Sequence, residues 1–198
     1  ISGGIAINGI DLFSMTAMDR ARTISVVLTG RPDMGLLDVR TLISLGRQPW
    51  TGHMGRLTDE DQLRIDDAMQ RTGTKQFEQR ALRSLSDGEL QLVLIARALA
   101  QDTPIMLLDE PTAFLDLVNR VRSMALLKEL AQRTKRCIVL STHDLQTALH
   151  IADRIILVTD GSVITDAPNV LITSGRMEKA FALSGMRFDP VLLSFIPC

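Results

Sequence analysis

A chain of 198 residues with 45% hydrophobic residues is long enough for one domain with a sizeable core, which excludes a disordered chain. The formal net charge of −1 gives no electrostatic reason to expect a nucleic-acid partner. No apolar run reaches the length of a membrane span and no signal peptide is visible, so any membrane role is expected to pass through a partner.

In chain order, Ile5-Ala6-Ile7, next to the Gly3-Gly4 turn, and residues 23–28 read as short strands. Residues 37–46 read as a helix with the stripe Leu37, Thr41, Leu42, Leu45 and with Gly46 as its stop. Residues 48–55 read as loop around Pro49 and Trp50. Thr58 suits the cap of a further helix, whose first-turn acids match the positive end of the dipole. Leu63, Ile65, Ala68 and Met69 form its apolar face and Gly73 ends it. A helical region is thus expected at about 36–85, between core segments 1–30 and 86–198.

Beyond that region the pattern alternates: helix 88–100, strand 105–108, helix 117–132, strand 137–140, helix 145–152, strand 155–158. Alternation of this kind predicts an α/β fold with parallel strand pairing and helices on the sheet faces. The continuous apolar runs at 105–108 and 138–140 predict strands buried on both faces, and Cys137 is read as a small buried hydrophobe. Asp160-Gly161 predicts a hairpin between 155–158 and 163–165. The tail, with Pro168, Pro190 and Pro197, is weakly patterned. Cys137 and Cys198 are far apart, match no metal spacing and suit a reducing, cytosolic setting.

Three short constellations carry candidate chemistry. Leu85-Ser86-Asp87-Gly88-Glu89 has the S-x-x-E spacing of a capping box before a helix that is apolar nearly all round. The same helix start, with free N–H groups, a hydroxyl and a glycine, also suits a phosphate. Asp109-Glu110-Pro111 follows a buried strand, and ligands of open parallel sheets bind beyond the strands' carboxyl ends. One carboxylate there can hold Mg2+ and the other can take a proton from water, with Pro111 expected to push Glu110 into extended backbone. His143 follows the next strand through Ser141-Thr142 and can donate to a terminal phosphate; taken alone it also reads as an ordinary loop histidine.

Joined in order, with Ala96-Arg97-Ala98-Leu99-Ala100-Gln101-Asp102-Thr103-Pro104 and Asp109-Glu110-Pro111-Thr112-Ala113-Phe114-Leu115-Asp116, these pieces resemble the ATP-binding-cassette (ABC) ATPases over residues 1–188. Within that family the chain is most similar to ATPase subunits of iron–siderophore, haem or cobalamin importers. The resemblance implies a mostly parallel sheet of the P-loop NTPase type with a small helical subdomain and an N-terminal β part. It implies ATP and Mg2+, with Asp109 at the metal and Glu110 as general base. Ser86, Gly88 and Glu89 would belong to the signature that meets ATP on an opposite copy, Asp116 to the loop between copies, and His143 to the switch. The implied partners are a second copy and transmembrane permease subunits met by the helical region, on the inner face of the cell membrane.

The chain departs from that pattern in places. The 198 residues contain no G-x-x-x-x-G-K-[ST]. The chain opens at Ile1 inside a pattern and reads as part of a longer protein, with the phosphate loop expected upstream. Without the lysine cradle, these residues are expected neither to bind ATP tightly nor to hydrolyse it. Gly30 stands where the coupling glutamine is expected, and Leu90 and Leu92 replace basic residues beside Gln91 and should raise the local apolar surface. Two other readings remain: a non-catalytic module that keeps the cassette fold, and a cassette ATPase of DNA repair or translation control.

Overall fold

The computed structural model describes residues 3–30, 35–52, 54–159, 161–181 and 185–197, in two compact units, Ile1–Ser141 and Thr142–Cys198. In the first, β1 (Ala6–Ile7) and β2 (Ile10–Asp11) pair antiparallel. Helix α1 (Ala17–Thr23) follows, capped by the Thr16 hydroxyl accepting from the Asp19 amide. Helix α1 was not among the expected elements, although Thr16 and the acid three residues on are a helix-start signal.

Strands β3 (Ile24–Val27), β4 (Ile105–Leu108) and β5 (Cys137–Leu140) form a parallel sheet in that order. Val27, Leu108 and Leu140 stand at the same level of the register, so all three strands end at one rim. Burial on both faces, expected for the last two strands, is strongest in β4, with Met106 and Leu108 inside. In β5 the pattern differs: Cys137 and Val139 are exposed, so Cys137 is not the buried hydrophobe expected. Among the described residues β5 is an edge of this sheet, with β4 as its single hydrogen-bonded neighbour, and that leaves alternate residues open.

Helices α2 (Val39–Ser44), α3 (Asp59–Thr72) and α4 (Asp87–Ala100) pack on one another, and α4 also packs on β3. α4 is the core helix: Val93, Ile95, Ala96 and Ala98 are fully enclosed, as its all-round apolar sequence predicts. α3 opens with the Thr58–Asp61 capping box and closes on Gly73 in the left-handed conformation. The apolar face of α3 is Ile65, Ala68 and Met69, while Leu63 is exposed. On α2 the inward residues are Val39, Leu42 and Ile43; of the expected stripe Leu42 is buried, while Thr41 and Leu45 are exposed. Helix α5 (Leu117–Thr134) turns Met124, Leu127 and Leu130 inward.

Gly46 does not act as a left-handed helix stop; it lies in a 3-10 turn after α2. Its reason is proximity: a Cβ there would stand 2.4 Å from the carbonyl oxygen of Arg97 on α4. A backbone atom in a buried helix cannot step aside. Gly46→Ala is therefore expected to lower stability by about 1–3 kcal/mol, seen as a reduced urea midpoint with unchanged slope.

The second unit contains α6 (Leu145–Ile151), β6 (Ile155–Thr159), β7 (Ser162–Asp166), α7 (Pro168–Thr173), α8 (Arg176–Phe181), β8 (Met186–Asp189) and β9 (Ser194–Pro197). The expected hairpin is present: β6 and β7 pair antiparallel and close with Thr159 opposite Ser162, Gly161 holding φ at 80°. Asp160 lies outside the described residues, as do Cys198 and His53. Leu149, Leu157, Leu171 and Met177 form a small core, to which the Phe188–Phe195 edge contact of the β8–β9 hairpin is joined through Phe188. The tail is thus more regular than its pattern suggested. None of the described helices is long and apolar enough to cross a membrane.

Candidate functional site

The rim of the parallel sheet gathers four groups from three loops. Asp109 follows β4, and its amide still bonds to the Val27 carbonyl at 2.8 Å. Ser141 follows β5 in the same way, bonding to the Leu108 carbonyl at 2.9 Å. Continuation of the ladder past the strand ends places both side chains at one level. Thr29 reaches the rim from the loop after β3.

The Asp109 carboxylate is held at both oxygens. Ser141 Oγ donates to Oδ1 at 2.8 Å, and Thr29 Oγ1 lies 2.8 Å from Oδ2 and 2.7 Å from the Asp109 carbonyl. These hydroxyls, Ser141 foremost and then Thr29, hold the Asp109 carboxyl below its usual range, so it is ionised at neutral pH. The Glu110 amide donates to Ser141 Oγ at 2.9 Å, and the Glu110 carbonyl accepts from Ala113 at 3.1 Å. Those two bonds hold Glu110 at φ 44°, left-handed backbone in place of the extended form that Pro111 predicts.

Helix α4 begins as a capping box. Ser86 Oγ accepts from the Glu89 amide at 3.3 Å and Glu89 Oε2 accepts from the Ser86 amide at 2.8 Å. Arg80, unremarked in the sequence, donates to Glu89 at 2.8 Å and to the Ser84 carbonyl at 2.7 Å. The Ser86 amide, foremost, and then Arg80 hold the Glu89 carboxyl below its usual range. Gly88 is buried against Asn119 of α5: a Cβ there would stand 2.8 Å from the Asn119 side-chain carbonyl carbon and 2.9 Å from its Nδ2. Asn119 in turn donates to Asp116, from its amide at 2.9 Å and from Nδ2 at 2.7 Å. The backbone amide of Asn119 leads in holding the Asp116 carboxyl low. Gly88 and Asp116 are thus linked through one side chain. Of the two leucines beside Gln91, Leu90 is buried, so only Leu92 adds to the outer surface.

A cleft of about 270 Å³ lies between the rim and the start of α4, lined by Thr29, Gly30, Asp87, Gln91, Glu110 and Phe114 among others. Gly30 is exposed at φ 107° and has no side chain to offer; its neighbour Thr29 makes the contact to Asp109. Thr29 and Ser141 were missed as site residues. Their signal was positional, two hydroxyls one or two residues beyond parallel strands. His143 lies in the second unit, exposed, just ahead of α6, which Asp144 caps through the Thr147 amide at 3.0 Å.

Asp109 fits a hard divalent cation: it is an exposed, ionised carboxylate whose orientation two hydroxyls fix. Among the described residues no cluster of three or more His, Cys, Asp or Glu side chains could hold a metal. One carboxylate suits Mg2+, which keeps several waters and completes its shell with substrate phosphates.

Residues 1–113 match the family described as ABC transporter. Over 181 residues the chain is 38% identical to the cobalamin import ATP-binding protein BtuD of Halobacterium salinarum, covering 91% of this chain and 45% of that protein. It is 35% identical over 201 residues to the iron(3+)-hydroxamate import ATP-binding protein FhuC of Bacillus subtilis, covering 98% of this chain and 75% of that one. The chain therefore spans about half the length of the Halobacterium relative and three quarters of the Bacillus one. Among solved structures, cbiO1 of Clostridium perfringens, part of the transporter complex cbiONQ, superposes with a TM-score of 0.74 at 26% identity, covering 92% of this chain and 73% of that one. With its parallel sheet, its capped core helix and its paired acids at the strand rim, the chain belongs to the ABC transporter family.

Proposed function

We propose that this chain is the ATP-hydrolysing cassette of a membrane importer. The observation that carries the reading is the rim itself: two adjacent carboxylates at the end of a parallel strand, with Glu110 lining a cleft shared with the start of α4. Asp109 would hold Mg2+, which would supply positive charge against the negative charge of the nucleotide's phosphates. Glu110 takes the proton of the attacking water. Ser86, Gly88 and Glu89 shape a helix start that presents N–H groups to a phosphate on an opposite copy, and Asp116 is tied to that helix through Asn119. His143 acts as the switch donor to the terminal phosphate.

Names of the relatives, import ATP-binding proteins for cobalamin and for iron(3+)-hydroxamate, support cargo of the iron–siderophore or cobalamin type, and the working complex would include permease subunits. The helical region at about 36–85 is the surface that would meet those subunits, at the inner face of the membrane. A second copy facing head to tail completes each site. Gly30, standing where the coupling glutamine is expected, favours the other reading, a non-catalytic cassette module.

The test is hydrolysis by the protein purified in its native membrane complex. Mg2+-dependent phosphate release is expected from that complex, while the 198-residue chain alone is expected to bind ATP more weakly than about 1 mM. A native complex that binds ATP and never releases phosphate would establish the non-catalytic module instead.

A further inference from the structure

We propose that Ser141 is a positioning residue that couples Asp109 to Glu110, so that the two acids at the rim are aimed as one unit. The proposal rests on the hydrolytic reading above for its consequence, though not for its geometry.

A serine hydroxyl has one hydrogen and two lone pairs, so it can donate once and accept at the same time. Ser141 does both: it donates to Asp109 Oδ1 at 2.8 Å and accepts from the Glu110 amide at 2.9 Å. Thr29 cannot play that part. Its single hydrogen is shared between two acceptors, Oδ2 and the carbonyl of Asp109, and no bond joins it to Glu110. Ser141 is itself fixed, because its amide extends the β4–β5 ladder by one bond.

Glu110 needs such a tether. A glutamate at φ 44° is in a conformation that L-residues avoid, and it precedes a proline. Without an acceptor for its amide, the peptide can relax toward extended backbone, and the carboxylate turns with it. The side chain of Asp109 would lose one of its two hydroxyl partners in the same event. Ser141 thus controls the direction of the general base through the Glu110 backbone amide.

Two measurements test this. In the 198-residue chain, amide exchange at Glu110 is expected to be about tenfold faster in Ser141→Ala. Ser141→Thr should restore protection, since the site is exposed and tolerates a methyl group. Thr29→Val should leave the Glu110 amide protected, which separates loss of the link from general loosening of the rim. In the native complex, Ser141→Ala is expected to lower kcat about tenfold with KM for ATP little changed, and Ser141→Thr to recover it. Unchanged exchange at Glu110 in Ser141→Ala overturns the proposal, as does a fall in kcat that the threonine variant fails to restore. Faster exchange in a protein whose unsubstituted complex never hydrolyses ATP overturns the hydrolytic reading instead and leaves the link between the acids standing.

Discussion

Glu110→Gln in the native complex is expected to reduce phosphate release by about 10²–10⁴-fold while leaving ATP binding intact. Glutamine keeps the length and shape of the side chain. It keeps the backbone amide that meets Ser141 and gains nothing at φ 44°, so the rim geometry is preserved. What it loses is the ability to accept a proton from water. The effect therefore falls on the chemical step alone, and single-turnover phosphate release reads it directly. Asp109→Asn is the informative contrast. It leaves the base in place but weakens the attraction for a divalent cation, so its defect should ease as Mg2+ concentration rises, and that of Glu110→Gln should not. Turnover of Glu110→Gln close to that of the unsubstituted complex would remove Glu110 from the base role and leave the rim acids as cation ligands only.

The parts of this site that could be read beforehand are those encoded within a few residues. Ser86 and Glu89 announce the start of α4 because a capping box needs one residue type at each end of a four-residue window. The run Ile-Met-Leu-Leu announces β4, and its end at Leu108 fixes Asp109 at the sheet rim. What could not be read depends on partners distant in the chain. Thr29 and Ser141 matter because β3 and β5 flank β4 in register, which no local pattern states. The φ of Glu110 ran against the local rule for a residue before proline because Ser141, 31 residues on, offers its amide an acceptor. Gly46 was read as a helix stop, when its need for no side chain comes from Arg97 across the helix packing. Cys137 sits in an apolar run, yet is exposed because its strand is an edge among the described residues. In each case the tertiary neighbour decided, and the local signal was silent or misleading.

A second expected effect lies away from the rim, in the attachment of the helical region to α4. Arg47→Ala is expected to lower stability by about 3–5 kcal/mol, a large share of the about 5–15 kcal/mol that holds a typical domain together. Arg47 and Asp61 are both buried, and Arg47 Nε donates to Asp61 Oδ1 at 2.8 Å. Arg47 Nη1 also donates to the Ala100 carbonyl at the end of α4, at 2.9 Å. The guanidinium lies 5.4 Å from the Trp50 ring centre, and Trp50 Nε1 donates to the Gln101 carbonyl at 2.7 Å. Truncation to alanine leaves Asp61 charged, buried and without its cation. Burial pushes the Asp61 carboxyl up, but bonds from the Thr58 amide, from Arg47 and from the Thr58 hydroxyl bring it below its usual value. A depressed carboxyl contributes stability above its unfolded value of 3.8, lost as pH falls through the folded value. With Arg47 gone, its bond and its charge no longer lower the Asp61 carboxyl, which shifts upward as burial weighs more against the remaining Thr58 bonds. The deficit of Arg47→Ala should accordingly be largest near neutral pH and narrow below about pH 4, measured by urea unfolding across that range. Arg47→Met with Asp61→Asn should cost less than Arg47→Met alone, because the asparagine oxygen still accepts from Thr58 and no charge is left buried. The far end of α4 carries Ser86 and Gly88, so this ion pair, remote from the acids, helps to set where the helix start stands in the cleft.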